Sequence, residues 1–220
     1  MWISVCSRVL LALVLAWQPV MAQTAAPAAT TPMDEFFKLP QFGGAALNPG
    51  KNGNTHLAFL REIKGRTNLV VMDLASKALT NVAGYDSADV IDFRWINSER
   101  LFYRVADLRV GVGDSSKYGV FAINRDGSMS YTLSEGLASF TGTVGSGTRG
   151  LPARADFHSR VRSGDPNDFI AVQVATSPFR TSLVRVNSRN GTCTAIEAAG
   201  VNNVVEWALD ANDVARAVLT

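Results

Sequence analysis

Cysteine is scarce in this sequence, and its scarcity excludes one common way of stabilising an exported protein. Only Cys6 and Cys193 are present, and Cys6 lies inside an N-terminal leader described below. Once that leader is removed, Cys193 has no partner for an intrachain disulfide. The fold must therefore be stabilised by packing.

A charge excess of one sign is also lacking. The chain has 21 Lys and Arg against 19 Asp and Glu, and the basic residues are scattered along it. Neutralising nucleic-acid phosphates requires a clustered basic face, so we predict no nucleic-acid partner. No apolar run approaches the roughly 20 residues that cross a bilayer. We therefore predict no membrane span after leader cleavage, and a soluble mature protein.

The first 22 residues have the pattern of a secretory signal peptide, which predicts a periplasmic or secreted protein. Arg8 precedes an apolar run from Val9 to Trp17, and the leader ends at Ala22 after small or apolar residues. Residues 23–33, QTAAPAATTPM, predict a flexible linker. The segment DEFFKLPQF that follows predicts one short helical turn, which Pro40 ends.

Beyond Gly43, short apolar runs alternate with clusters of Asn, Asp, Gly, Pro and Ser, which is typical of strands separated by turns. The clearest predicted strands are HLAFL (56–60), NLVVMDL (68–74), RLFYRV (100–105), GVFAI (119–123), DFIAVQV (168–174), SLVRV (182–186) and ARAVL (215–219). NLVVMDL is apolar on both faces, so we expect it to be covered on both sides by stacked sheets.

The strands recur in a repeating order. Equivalent positions at Leu57, Leu101, Phe169 and Ala215 are separated by 44, 68 and 46 residues, and a four-stranded blade takes roughly 40 to 50. The glycine-rich insertion SFTGTVGSGTRGLPARA explains the long interval. We therefore predict an all-β, partial β-propeller of four-stranded antiparallel blades. The blades occupy about 43–84, 86–135 and 152–197, with the start of a fourth at 201–220 and an insertion loop at 138–151.

Several segments, in order, carry a family resemblance: FFKLP with GGAALNP, RTNLVVMDL, FRWINSERLFYRV, FAINRDGS and DPNDFIAV. The chain resembles the N-terminal propeller of exported prolyl-oligopeptidase-family serine peptidases of the dipeptidyl or acylaminoacyl type. In that family the propeller caps an α/β-hydrolase domain and helps to select peptides by size. The catalytic Ser, Asp and His lie in that second domain, which the resemblance implies is absent from this chain, since it ends at Thr220. In dipeptidyl relatives, propeller acids hold the substrate amino terminus, and no acid here matches that motif.

The motifs of catalysis and cofactor binding are missing. A serine hydrolase of this type needs a G-x-S-x-G elbow, and the sequence has none. The serine-rich stretch VGVGDSSKYGV (110–120) is predicted to be a loop. GSGTRG, with Gly145, Gly147 and Gly150, fits a dinucleotide fingerprint, but Pro152 follows and no βαβ context surrounds it. We predict neither a catalytic site nor a cofactor.

Metal ligands also lack the required spacing. His56 and His158 fall in different repeats, with no Cys or carboxylate nearby at ligand spacing, so we expect structural or surface roles. Asp86, Asp89 and Asp92 lack the glycine of a calcium loop. We interpret them as turn caps and solvated charge, and we predict no metal site.

The remaining conspicuous residues have structural interpretations. Asn190-Gly191-Thr192 fits a glycosylation sequon, but a hairpin turn suffices to explain it. We expect Cys193 to be a small residue at a strand start rather than a reactive thiol. Trp95 and Trp207 hold similar places in their repeats, which favours core aromatics over a peptide groove.

These observations leave more than one function open. The chain is predicted to be the non-catalytic, substrate-gating propeller portion of a prolyl-oligopeptidase-like serine peptidase. The alternative is a free-standing periplasmic propeller, similar to Tol-type propellers, that binds proteins. A second alternative is a subunit that completes its propeller with another polypeptide. The predicted partners of the chain are therefore peptides or a protein that completes the propeller. An open set of blades also leaves edges and an apolar face uncovered, which predicts self-association.

Overall fold

The computed structural model describes residues 41–50, 53–109, 119–135, 150–151, 155–176, 179–196 and 204–219. The leader, the linker and the helical turn predicted before Gln41 lie outside these residues. So do most of the serine-rich stretch at 110–120 and most of the 138–151 insertion.

Within the described residues the chain forms antiparallel sheets whose strands follow one another in sequence order. The first sheet contains β1 (Phe42–Leu47), β2 (His56–Ile63), β3 (Arg66–Asp73) and β4 (Leu79–Ala83); the second contains β5 (Asp89–Trp95), β6 (Arg100–Ala106), β7 (Gly119–Asn124) and β8 (Tyr131–Glu135). The third contains β9 (Asp156–Arg160), β10 (Asp168–Thr176), β11 (Phe179–Asn187) and β12 (Cys193–Ala195), and the fourth is a hairpin of β13 (Glu206–Leu209) and β14 (Ala215–Leu219). The described part of the chain contains no helix, and hence no helix long and apolar enough to cross a membrane. The all-β prediction is confirmed.

All seven runs singled out in the sequence are strands, and they supply β2, β3, β6, β7, β10, β11 and β14. The positions taken as equivalent, Leu57, Leu101 and Phe169, each lie in the second strand of a four-stranded sheet. They pair with Met72, Ile123 and Val186 of the third strand. The repeat therefore corresponds to one sheet.

Three apolar clusters each join two consecutive sheets. The first cluster lies between sheets one and two, with Ala58, Leu69, Val71, Val90, Leu101 and Tyr103 among its buried members. The second lies between sheets two and three and includes Phe102, Val120, Ala122, Phe169 and Val186. The third holds Ile170 and Leu183 of sheet three against Trp207 of the hairpin. Each sheet thus buries a face against the next one.

Strand β3 is apolar on both faces, but among the described residues a stacked sheet covers only one of them, so the prediction of stacked sheets on both sides is met on one side. Leu69 and Val71 point into the cluster shared with sheet two. Val70 lies on the opposite face and is also buried, whereas Met72, on that same face, is half-buried. Since alternate residues of a strand point to opposite faces, sheet one has a second apolar face that points away from sheet two.

Candidate binding cleft

Two asparagines, each in a turn between the first and second strands of a sheet, link sheet one to sheet two and sheet two to sheet three. We call this end of the sheets the turn end. The Oδ1 atom of Asn48, in the β1–β2 turn, accepts hydrogen bonds from Thr55 N at 2.8 Å and His56 N at 2.9 Å. Its Nδ2 donates to the carbonyl oxygen of Ser98 in the β5–β6 turn at 3.2 Å. Asn48 therefore caps its own second strand and also binds the neighbouring sheet.

Asn97 repeats this arrangement one sheet further along. Its Oδ1 accepts from Glu99 N at 2.8 Å and Arg100 N at 2.9 Å. Its Nδ2 donates to the carbonyl oxygen of Pro166, in the β9–β10 turn, at 2.8 Å. Equivalent side chains thus join sheet one to two and sheet two to three. The sequence shows both residues as turn formers, but their second role depends on the adjacent sheet.

Asp213 provides the link between sheet three and the hairpin. Its side chain is fully buried, and its backbone has a φ of 63°. The carboxylate accepts from Arg162 N at 3.0 Å and lies 3.1 Å from Arg185 Nη2. A buried carboxylate must be paired to avoid a large desolvation cost, so these two contacts fix the hairpin on sheet three.

A cleft of about 670 Å³ opens at the turn end, between loops that belong to sheets one, two and three. It is lined by Pro49, Ile96, Asn97, Ser98, Ser159, Arg160, Val161, Arg162 and Pro166. Ile96 is almost completely buried, and Asn97, whose amide links sheets two and three, is also part of the lining. The same contacts that join the sheets therefore hold the cleft open.

The charge of the cleft is positive. Arg160 and Arg162 are both exposed, and the lining includes no acidic side chain. The guanidinium of Arg162 is held in place because its Nη1 donates to the carbonyl oxygens of Leu209 at 3.1 Å and Asp210 at 2.7 Å. Arginine suits carboxylates because its planar donors match their geometry. The cleft is therefore suited to a chain segment with a carboxylate and small apolar groups.

A second buried network joins sheets two and three through Arg100. This side chain is 1% exposed. Its guanidinium donates to Ser188 Oγ at 2.9 Å and Ser188 O at 2.7 Å, in the β11–β12 turn. It also donates to Asn124 Oδ1 at 2.9 Å and Met129 O at 2.8 Å. Burial, followed by the nearby charge of Arg189, lowers the pKa of Arg100 to about 10, which still leaves it protonated at neutral pH.

At the opposite end of sheets one and two, the sequence prediction for Asp89 is wrong. Asp89 was expected to be a solvated charge or turn cap, but its side chain is only 2% exposed. It lies 2.8 Å from Arg66 Nη1, which also lies 2.9 Å from Asp107 Oδ1, and it accepts from Thr67 N. Asp89 is thus part of a buried ion network between the sheets. Asp86 is exposed, as expected, and Asp92 is half-buried beside Arg94.

Each histidine lies against the hydroxyl group of the residue next to it in sequence, and His56 Nε2 also lies 3.4 Å from Asp73 Oδ2. His56 Nδ1 is 2.8 Å from Thr55 Oγ1, but Arg125 Nη1 approaches the same nitrogen at 2.6 Å. His158 Nδ1 is 3.1 Å from Ser159 Oγ, and its Nε2 lies against the Trp207 carbonyl. Thr55 lies directly before β2, and Ser159 lies within β9.

The other singled-out residues have the surroundings that the sequence predicts. Trp95 and Trp207 are buried, and their Nε1 atoms donate to Ala46 O at 2.9 Å and Thr181 Oγ1 at 3.2 Å. Gly191 has a φ of 69° in the β11–β12 turn. Cys193 begins β12 and is fully buried. Burial raises the pKa of this thiol to about 11.

Among the described residues no group of three or more His, Cys, Asp or Glu side chains is placed to hold a metal ion. Of GSGTRG, only Gly150 lies within the described part of the chain, with a φ of 94°. Strand β7 begins at Gly119, and the earlier residues of the serine-rich stretch, 110–118, lie outside the described part of the chain.

Comparison with known proteins assigns no family. No family model matches the chain, and no curated protein matches it in sequence. Among solved structures, it is similar to a variant of the AtxE2 isopeptidase with Astexin3-dC4 bound, at 16% identity and a TM-score of 0.28. The match covers 71% of this chain and 26% of the isopeptidase chain. The chain therefore spans about a quarter of the length of the protein it matches.

Proposed function

We propose that this chain is a non-catalytic β-propeller portion of an exported prolyl-oligopeptidase-like serine peptidase, and that it admits peptides to a catalytic domain supplied by other sequence. Its site of action would be the periplasm or the extracellular medium. The observation that carries the proposal is the repetition of one sheet type. Leu57, Leu101 and Phe169 occupy the same strand of successive four-stranded sheets, and consecutive sheets bury apolar faces against each other.

The links at the turn end are consistent with a fixed entrance rather than a hinge. Asn48 and Asn97 each bind the adjacent sheet through an amide, and Arg100 spans the same pair of sheets as Asn97. We expect a cleft bounded by such links to keep a nearly constant width. Constant width is the property that selects peptides by size.

The chemistry of the cleft suggests which part of a peptide it accepts. Arg160 and Arg162 provide positive charge without acidic neighbours in the lining, and Ile96 and Pro166 provide apolar surface. A free C-terminal carboxylate with a small apolar residue before it satisfies both. We therefore expect short peptides with free carboxyl ends to bind at the cleft, and peptide amides to bind less well.

Hydrolysis assays test the non-catalytic part of the proposal. The chain, expressed with its own leader and purified after export, is incubated with chromogenic dipeptide and acyl-aminoacyl substrates and with a fluorophosphonate probe. We expect neither turnover nor labelling. Turnover accompanied by labelling of one serine would refute the proposal.

Peptide binding tests the gating part. Fluorescence anisotropy of labelled short peptides should report binding that weakens up to about fivefold for Arg160→Met, since an ion pair at an exposed site contributes at most about 1 kcal/mol. Arg189→Met is the matched control, because Arg189 is also an exposed arginine but lies outside the cleft. Equal affinity of acid and amide peptides, or equal loss in both variants, would exclude the cleft as a carboxylate site.

A free-standing protein-binding propeller is the second candidate. The observation that favours it is the same basic cleft, because an acidic loop of another protein could occupy it as well as a peptide. Binding of a folded periplasmic protein that Arg160→Met abolishes, without any binding of short peptides, would favour this candidate over the first.

A further inference from the structure

One position recurs in every described sheet, and in sheet three it holds an arginine. It lies in the first strand, directly opposite the position of the second strand that marks the repeat. In chain order its occupants are Leu47, Trp95, Arg160 and Leu209. All of them are apolar except Arg160. A side chain that departs from the residue type favoured by a repeat is a candidate for function, because folds break their own rules chiefly at functional sites.

The side chain at this position points to the preceding sheet. Trp95 lies in the cluster between sheets one and two, and its Nε1 donates to the carbonyl oxygen of Ala46 in sheet one. Leu209 packs in the cluster between sheet three and the hairpin. Arg160 pairs with Phe169, which lies in the cluster between sheets two and three. Because directly opposite residues share a face, Arg160 is directed toward sheet two, whose β5–β6 turn borders the cleft.

No described residue binds the Arg160 guanidinium. Among the described residues it has no hydrogen-bond or ion-pair partner, and the side chain is exposed. The guanidinium of Arg162, by contrast, donates to two carbonyl oxygens of the hairpin. The lining of the cleft contains no acidic side chain. Arg160 is therefore available to a carboxylate of a ligand.

The backbone of Arg160 faces away from its own sheet. In an antiparallel strand, the backbone groups of successive residues point alternately to the two neighbouring strands. Asn187 N donates to Thr192 O on the β12 side. Val186, the preceding residue, therefore points its N–H and C=O to β10, where its partner is Phe169. Phe169 bonds to β11 in this way, so Arg160, its partner in β9, directs its own N–H and C=O to the edge that no described strand pairs with.

Only a short part of this edge is available to a ligand. Toward the start of β9, Asp156 Oδ1 accepts from the N–H of Phe157 at 2.8 Å. Beyond the end of β9, the N–H of Arg162 donates to Asp213 Oδ2 at 3.0 Å. Arg160 lies between these two occupied positions and also lines the cleft. Its backbone and its guanidinium are thus offered at one place.

We propose that the cleft binds a peptide in an extended conformation, as an added strand beside Arg160, and that Arg160 determines the preference for a free carboxyl end. This inference rests on the peptide gating proposed above and names the ligand class of that site. The guanidinium binds the carboxylate, while the N–H and C=O of Arg160 each form one hydrogen bond with the peptide main chain. Strand addition of this kind takes affinity from main-chain hydrogen bonds and specificity from side chains. The ligand class is a short peptide with a free carboxyl end and an unsubstituted amide at the paired position.

A series of N-methylated peptides tests the main-chain pairing. Each backbone amide near the carboxyl end is methylated in turn, the carboxylate and side chains are kept, and fluorescence anisotropy gives the dissociation constant. We expect methylation at one position to weaken binding about fivefold and at the others less than about twofold, because only one amide donates to the Arg160 carbonyl oxygen. Equal affinity across the series would overturn the inference and leave the carboxylate preference of the proposed function intact.

Two proline variants test the orientation of the backbone without any ligand. Arg160→Pro removes an N–H that faces away from the sheet, and proline is tolerated at such edge positions. Ser159→Pro is the matched control, since Ser159 is paired with Ile170 of β10 and proline there removes a hydrogen bond of the ladder. We expect Arg160→Pro to unfold at a urea concentration close to that of the wild type, and Ser159→Pro at a much lower one. Similar losses in both variants would overturn the inference.

Arg160→Leu separates the guanidinium from the backbone, because it restores the residue type of the other sheets and keeps the N–H. We expect unfolding at a urea concentration no lower than that of the wild type, equal affinity for acid and amide peptides, and unchanged sensitivity to N-methylation. Clear destabilisation would make Arg160 a structural residue and overturn the inference. Binding of no peptide at all would refute the proposed gating as well, whereas binding that ignores methylation refutes only the inference. Peptide hydrolysis by the chain would refute the proposed function without altering these affinities.

Discussion

Replacing Arg100 by methionine should destabilise the protein strongly without changing its fold. Methionine keeps an unbranched apolar stem and removes every donor of the guanidinium. Four hydrogen bonds would be lost, two of them to Ser188 across the boundary between sheets two and three. The carbonyl oxygens of Ser188 and Met129 would each lose a donor in a part-buried or buried position.

The magnitude follows from two opposing terms. Hydrogen bonds from a charged donor contribute about 1.5 to 3 kcal/mol each, so four give a gross loss of roughly 6 to 12 kcal/mol. Removing a buried cation also removes its desolvation cost, which is several kcal/mol. We expect a net loss of about 3 to 5 kcal/mol, a large fraction of the 5 to 15 kcal/mol that is typical of whole domains.

Urea unfolding followed by tryptophan fluorescence measures this loss, since Trp95 and Trp207 are both buried. Arg94→Met is the matched control. Its side chain is 55% exposed and contacts Asp92 at the surface, and such pairs contribute at most about 1 kcal/mol. If Arg100→Met costs less than about 1 kcal/mol, or no more than Arg94→Met, then the Arg100 network does not join the sheets as argued.

Three further predictions concern single residues. Asn97→Asp keeps the oxygen that caps β6 but loses the amide donor to sheet three, so urea unfolding should show a free energy of unfolding lower by about 1 kcal/mol. Asn97→Ala should lower it further, because this variant also removes the cap. Asp89→Asn should lower the free energy of unfolding by about 3 kcal/mol in the same assay, because the buried Arg66 loses one of its two carboxylates; a loss below 1 kcal/mol would contradict the buried network. The Cys193 thiol should resist maleimide at pH 8 until the chain unfolds, because its folded pKa is about 11. That pKa lies above the unfolded value near 8.5, so between these two pH values the folded state binds more protons than the unfolded state. The free energy of unfolding should therefore fall as pH rises through this window. Cys193→Ala should remove this contribution to the pH dependence of stability.

The sequence predicted the strands that carry an apolar period and missed the first strands of the sheets. Strand β1 contains two adjacent glycines, and β5 begins with Asp89 and carries Asp92 after a bulge that follows Val90. When only the local sequence is considered, these residues are typical of turns rather than strands. Asp89 can begin a buried strand only because Arg66, 23 residues away, neutralises it. That pairing depends on how two sheets stack, which no local pattern encodes.

The cleft was also beyond sequence analysis, for the same reason. Its lining comes from turns that are far apart along the chain, at Pro49, Ile96–Ser98 and Ser159–Arg162. Each turn has ordinary turn residues. By contrast, the sequence predicted correctly that Trp95 and Trp207 are core residues and that Cys193 starts a strand. It offered no signal that two arginines of β9 and its following loop would border an opening between three sheets.

The links made by Asn48 and Asn97 also bear on how this architecture can change in size. Each amide reaches only the next sheet, and each apolar cluster joins only two consecutive sheets. Cooperativity in such an array passes from neighbour to neighbour, so no single contact specifies how many sheets there are. A gene that gained or lost one whole repeat would leave every remaining junction chemically intact. A change in the number of repeats would therefore alter stability through the number of junctions rather than through the chemistry of any one of them.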